Sequence, residues 1–234
     1  MTGLSSIVMN PYLLLLLSCH LLSDYYFQSQ KMADHKDQDK KVLGLHILYV
    51  ALPLFVVSLC HLDLWWICLI ILLTHAVIDY GKPWVQKQLH LTAAWTFALD
   101  QFLHIGIIIA LISFGVKNNT TYLPTDILKL IFYVLLVGKP TNIVFKILFA
   151  KYQPTMAYKM DTITGAGSMI GFLERLVIGS CLVYGQFASI GLVFTAKSIA
   201  RYNKISENPA FAEYYLIGSL FSILSALFAA WLCL

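Results

Sequence analysis

Residues 65–82 read WWICLIILLTHAVIDYGK, an apolar run of the length that crosses a bilayer as helix, with His75 and Asp79 near its end. Within HAVIDYGK, residues 75–82, the two polar residues are four apart, which puts both on one helical face about one turn from each other. HLLSDY, residues 20–25, repeats the His-x-x-x-Asp-Tyr pattern one helical hairpin earlier. A helix otherwise made of Leu, Ile, Val and Cys carries such groups only if something around them offsets their cost.

The surroundings are apolar. Of 234 residues, 59% are hydrophobic and 12% charged, with a mean hydropathy of +0.75; soluble globular chains carry roughly twice that share of charge. Apolar runs recur along the whole length, so the expected fold is all-α: a polytopic transmembrane bundle of about eight helices. The expected spans are 11–29, 43–60, 62–80, 93–114, 124–149, 168–185, 187–203 and 211–233. Gly138-Lys139-Pro140 interrupts the fifth and sets 141–149 apart as an interfacial piece. PWVQKQLHL, after the third, reads as an amphipathic segment lying in the membrane surface. Residues 1–115 are expected to form a four-helix bundle of two repeated hairpins, with 116–234 packed against it as one unit. The first helix does not read as a removable signal, since no Lys or Arg precedes it and it carries His20 and Asp24.

Positive residues set the orientation. Lys31, Lys36, Lys40 and Lys41 follow helix one, and Lys82 and Lys87 follow helix three; Lys139, Lys146, Lys151 and Lys159 follow the first half of helix five, while Lys197, Arg201 and Lys204 close helix seven. Alternating spans put all of these on one side, the cytoplasmic one, so both termini face outward; Lys117 is the exception. Trp65 and Trp66 at one boundary, with Trp84 and Trp95 at the other, fit interfacial belts. The sequons at Asn118 and Asn119 carry weight only in a source that glycosylates. Basic residues border apolar helices instead of forming one patch, which argues against nucleic acid as a partner and leaves membrane lipids. Cys19, Cys60, Cys68, Cys181 and Cys233 show no Cys-x-x-Cys pair and read as small apolar side chains.

An ionisable group inside a span costs about 2.5–3.5 kcal/mol on insertion scales, so each demands a partner. Helices one to four contain His20, Asp24, His46, His75, Asp79, Asp100 and His104. Helices one and three carry theirs near the C-terminal end, helices two and four in the N-terminal half, so antiparallel packing brings all seven to the cytoplasmic half of the bilayer. A divalent cation would neutralise the carboxylates and keep the imidazoles neutral. Mixed nitrogen and oxygen ligands suit zinc first, then iron, manganese or nickel, and seven candidates leave room for one or two ions. Gln28, Gln101, Tyr25 and Tyr80 lie beside these residues as hydrogen-bonding support. A structural polar network, or a proton or ion pathway, would use the same groups. His35, His61 and His90 fall in loops and are expected to be solvated, and Asp34 with His35 sits near the cytoplasmic mouth.

The second half carries Glu174, Arg175, Lys197, Arg201 and Glu213. They are expected either to pair across helices or to leave Arg175, Lys197 and Arg201 to hold a phosphate-bearing headgroup near the metal site. Gly167-x-x-x-Gly171 is a small-residue packing spacing. No HExxH, P-loop or serine-nucleophile elbow occurs.

The series HLLSDYYFQSQKMADHK, HAVIDYGK, LDQFLH, GFLERL, AKSIAR and FAEYYLIGS resembles the bacterial membrane proteins grouped as domain of unknown function 3307, over nearly the whole chain. That resemblance implies a bacterial inner membrane. A more distant similarity is to predicted inner-membrane metal-dependent hydrolases, themselves similar to the all-helical zinc phospholipase C and P1-type nuclease enzymes. Those ligate zinc with His and Asp, several spaced His-x-x-x-Asp or His-x-x-x-Glu, a spacing that His20/Asp24 and His75/Asp79 match. The expected function is an integral-membrane metal-dependent hydrolase acting on a phosphoester, lipid or lipid-linked, with Asp100 taking a proton from water. The alternatives are a divalent-cation or proton transporter, and a non-catalytic subunit or metal sensor; the oligomeric state is left open.

Overall fold

A helix that is apolar on every side belongs inside, and α1 (Pro11–Leu21) takes that place. The Asn10 side chain accepts from the N–H groups of Tyr12 and Leu13, and Pro11 fills the first turn, where no N–H is needed. Tyr12, Leu13, Leu14 and Leu16 are fully enclosed. After Leu21 the helix widens into a π-helical segment, Leu22–Phe27, closed by the bond from the Gln28 N–H to the Ser23 carbonyl. The Ser23 hydroxyl donates to the Cys19 carbonyl at 2.9 Å and satisfies the loosened turn. Such π turns concentrate at functional sites, and this one carries Asp24 and Tyr25.

The computed structural model describes residues 10–116, 121–154, 163 and 165–234, which leaves Lys117, Asn118, Asn119 and Lys159 of the sequence reading outside the described residues. A short helix, α2 (Gln30–His35), reverses the chain into α3 (Lys40–Cys60), which Asp39 caps. A single 3₁₀ turn, Leu62–Leu64, leads into α4 (Trp65–Gln88), and Thr92 caps α5 (Ala93–Gly115). Helix α1 packs against α3 and α5, and α4 packs against both of those. Leu13, Leu16, Val50, Leu54, Ile67 and Ile108 form the shared core. The opposite faces, with Leu48, Phe55, Leu73 and Val77, stay exposed, as lipid-facing residues must.

The chain divides into two units, Met1–Leu135 and Leu136–Leu234, with the division inside α6 (Thr125–Val137). The second unit continues through α7 (Lys139–Leu148), α8 (Ala166–Val183), α9 (Phe187–Ala200), α10 (Tyr202–Glu207) and α11 (Pro209–Cys233). Within it α11 packs on α7, α8 and α10. Gly138 leaves helical geometry at φ −83°, ψ −121°, and Pro140 then falls in the first turn of α7, where its missing donor costs nothing.

The architecture is all-α, as the hydropathy pattern predicts, with no strand among the described residues. Six helices there are long and apolar enough to cross a membrane. The first expected span is shorter, with eleven α-helical and six π-helical residues. The seventh shrinks to the 14 residues of α9, closing before Arg201. The third is longer than expected: α4 runs through Pro83 to Gln88, so PWVQKQLHL is mostly helix end and not a separate surface segment. Proline keeps a helical φ and forfeits one ladder bond, the one to the Asp79 carbonyl. His61 is also not solvated: it is buried between Tyr12 and Tyr122, ring centroids 5.3 and 5.0 Å away.

Leu64 is 0% exposed and Leu48 is 61% exposed. Lipid is as apolar as leucine, so truncating a buried residue forfeits packing and little transfer energy. Leu64→Ala is expected to cost about 2 kcal/mol, the low end for buried leucines, and Leu48→Ala close to nothing. Unfolding of the detergent-solubilised chain measures the difference.

Candidate metal centre

Helices α1, α3, α4 and α5, with the π-helical segment after α1, deliver titratable residues inward. His20, Asp24, His46, His75, Asp79, Asp100 and His104 are all buried, none more than 7% exposed. At the centre His46 Nε2 lies 3.2 Å from His75 Nε2 and 3.1 Å from Asp79 Oδ2. His75 Nε2 lies 3.5 Å from Asp79 Oδ2 and 3.4 Å from Asp24 Oδ1, and His46 Nε2 stands 3.7 Å from that same Asp24 oxygen. Four ligand atoms from three separate helical segments therefore share one small volume. Two triads, His20/Asp24/His75 and His46/His75/Asp79, have ligand atoms within 4.8 Å of one another and could hold a metal ion.

Gln101 ties the remaining groups together. Its Nε2 donates to Asp100 Oδ2 at 3.1 Å and to Asp24 Oδ2 at 3.4 Å. An amide oxygen would not face two carboxylates, so Oε1 must be the other end. That oxygen accepts from the Tyr25 hydroxyl at 2.8 Å and lies 3.2 Å from His20 Nε2. His20 then donates from Nε2, and its Nδ1 stands 3.8 Å from Asp24 Oδ2. His104 is fixed in the opposite sense: Nδ1–H donates to the Asp100 carbonyl at 2.8 Å, and Nε2, buried, has no hydrogen-bond partner. Its ring centroid is 4.1 Å from that of His75. A backbone bond of this kind orients the ring and leaves the other nitrogen bare, free to accept a proton.

Two lysines enter the cluster that the positive-residue pattern had placed at the membrane border. Lys36, at the end of α2, is buried with Nζ 3.1 and 3.3 Å from the two Asp79 oxygens. Burial alone would lower its pKa, but Asp79, Asp24 and Asp100 outweigh that and hold it above the ordinary lysine value. Lys82 Nζ stands 3.6 Å from Asp100 Oδ1. Three carboxylates thus face two ammonium groups, which leaves the cluster one positive charge short while its imidazoles are neutral. Asp24 Oδ1, Asp100 Oδ1, Gln28 Oε1 and His46 Nδ1 are also buried without a hydrogen-bond partner.

Tyr80 is not part of the site. It follows Asp79 by one residue, about 100° round the helix, and is 64% exposed with Lys40 Nζ 5.8 Å from its ring. His35 and His90 are exposed as expected, and so is Asp34. In the second unit Arg175, Lys197 and Arg201 line one cavity, where Lys197 pairs with Glu174 at 2.8 Å; Glu213 is exposed.

A family model described as protein of unknown function (DUF3307) matches residues 12–131, a stretch that includes every residue of the buried cluster. No curated protein and no solved structure matches the chain.

Removing the Lys36 ammonium leaves Asp79 buried without its cation, so Lys36→Met is expected to cost about 3–5 kcal/mol. Adding Asp79→Asn should recover most of that. A raised lysine pKa means that the pair's stabilisation is complete below the unfolded value and is lost only as pH rises through the folded one. Thermal unfolding of wild type and both variants should therefore show the same gap at pH 7 and pH 9.

Proposed function

The chain belongs to the DUF3307 family, and from that premise we propose that its buried cluster is a zinc centre that hydrolyses a phosphoester, with a lipid or lipid-linked molecule as substrate. The proposed setting is a bacterial inner membrane, the cluster towards the cytoplasmic side, as the positive residues argue. One observation carries the metal: five of the six edges joining His46 Nε2, His75 Nε2, Asp79 Oδ2 and Asp24 Oδ1 measure 3.1 to 3.7 Å. A regular tetrahedron with such edges has its centre about 2.1 Å from each corner, the length of a zinc bond to nitrogen or oxygen. His75 belongs to both triads, and a neutral imidazole offers one lone pair, which favours a single ion over two.

Zinc held there would lower the pKa of a water towards neutrality and polarise a phosphoryl oxygen. Asp24 has the loosest corner, and its other oxygen already accepts from Gln101. A shift of Asp24 towards Gln101 would open the place that catalytic zinc sites keep for water or substrate. His104, whose Nε2 is bare and whose ring the Asp100 carbonyl orients, would accept the proton. This replaces Asp100 as the base, since its carboxylate faces Lys82 and Gln101. A second reading, passage of protons or cations, is favoured by Lys36: with Asp79 already matched, one proton on an imidazole would complete the charge of the cluster.

Elemental analysis of the purified chain should find about one zinc per chain in wild type, lost in His75→Ala and Asp79→Ala and kept in His104→Ala. On a generic phosphodiester His104→Ala should lower kcat by about 10²–10⁴. A folded wild type without metal sinks the centre and leaves the proton reading, whereas metal flux into proteoliposomes without turnover replaces hydrolysis by transport.

A further inference from the structure

The second unit has a polar feature of its own. A cavity of about 510 Å³ opens between α7, α8, α9 and α11, within the size range of small-molecule sites. Four basic residues, Lys146, Arg175, Lys197 and Arg201, line it, with Glu174 the one acid among the lining residues. An aromatic wall is supplied by Phe145, whose ring packs 5.4 Å from Tyr214 and 5.5 Å from Phe221.

The basic groups are held in place. Arg175 donates from Nε to the Val137 carbonyl at 2.6 Å and from Nη2 to Asn142 Oδ1 at 2.7 Å. A Cβ on Gly171 would meet Arg175 Nη1 at 3.1 Å, so Gly171 makes room for the guanidinium. Lys197 Nζ sits on Glu174 Oε2 at 2.8 Å and 5.4 Å from the Tyr215 ring. Lys146 and Arg201 have no acid partner among the described residues. Two side-chain atoms of lining residues, Glu174 Oε1 and Ser219 Oγ, are buried without a hydrogen-bond partner. Buried polar atoms in native proteins are nearly always satisfied, so both point to an occupant.

We propose that this cavity binds a lipid whose headgroup joins a phosphate to a hydrogen-bond donor. The phosphate meets Arg201, Lys197 and Lys146, the donor satisfies Glu174 Oε1, and the acyl chain covers the aromatic wall. Inorganic phosphate offers nothing for that wall. A lipid without net charge leaves the surplus cations unmatched. The assignment is independent of the zinc centre.

The test titrates the detergent-solubilised full chain with dihexanoyl phosphatidylglycerol, dihexanoyl phosphatidic acid, dihexanoyl phosphatidylcholine and inorganic phosphate, read by calorimetry. Phosphatidylglycerol, with hydroxyl donors, should bind tightest, phosphatidic acid several-fold weaker and phosphatidylcholine at least about tenfold weaker. Inorganic phosphate at the same concentrations should give no heat. Arg201→Gln with Lys146→Gln, at positions that are not buried, should weaken phosphatidylglycerol about tenfold, and Arg201→Gln alone about threefold if the double variant does not fold. His75→Ala should bind as wild type does, which separates this site from the metal. Equal binding of phosphatidylcholine and phosphatidylglycerol overturns the proposal, as does inorganic phosphate binding as tightly as lipid, or an Arg201 variant that binds like wild type.

Discussion

A carboxylate inside an apolar bundle has to meet positive charge, and the first unit is arranged around that requirement. Helix faces that look at lipid and faces that look at each other are almost equally apolar, so apolar packing alone discriminates weakly between registers. The buried polar groups discriminate strongly. Asp79 reaches Lys36 only if α2 folds back across the end of α4, and Asp24 reaches His75 only if the π turn of α1 lies level with the middle of α4. Gln101, bonded to Asp24, Tyr25 and Asp100, fixes α5 against α1 at the same height. The cluster therefore sets how these helices are aligned, whatever chemistry it performs.

The repeated His-x-x-x-Asp-Tyr pattern does not produce two equal halves. In α4 the pair lies on regular helix, and its carboxylate takes both a lysine and two imidazoles. In α1 the pair straddles the change from α to π geometry, and its carboxylate is held by an amide hydrogen bond on one oxygen, with none on the other. One aspartate is thus pinned by charge and the other is held loosely. The tyrosines diverge as well: Tyr25 turns inward to Gln101, whereas Tyr80 turns out to Lys40. The π turn accounts for both differences, because it rotates Asp24 and Tyr25 relative to His20 in a way that the sequence spacing does not record.

Much of this was legible from residue order. Long apolar runs specify the helices, and titratable groups at matching depths specify that they meet, since each is costly alone. What was not legible depends on side-chain direction. A lysine after an apolar helix reads the same whether it reaches out to headgroups or back into the bundle; Lys36 and Lys82 do the latter because Asp79 and Asp100 lie within reach. Pro83 looked like a boundary, yet α4 continues through it to Gln88 despite the lost ladder bond. In the second unit Asn142 carried no signal of its own, yet it anchors the Arg175 guanidinium. Gly171, read as helix packing, serves the same side chain.

The balance of donors and acceptors bears on what the cluster is for. A network kept only for packing would pair its groups off, because each unsatisfied buried atom weakens the fold. Here the unsatisfied atoms are nearly all of one kind: Asp24 Oδ1, Asp100 Oδ1, Gln28 Oε1 and His104 Nε2 are acceptors. Two lysines against three aspartates leave the charge short in the same sense. An added positive charge would balance both. A proton bridges two acceptors, whereas a divalent ion gathers four or more, and the close approach of two imidazole nitrogens and two carboxylate oxygens could hold such an ion.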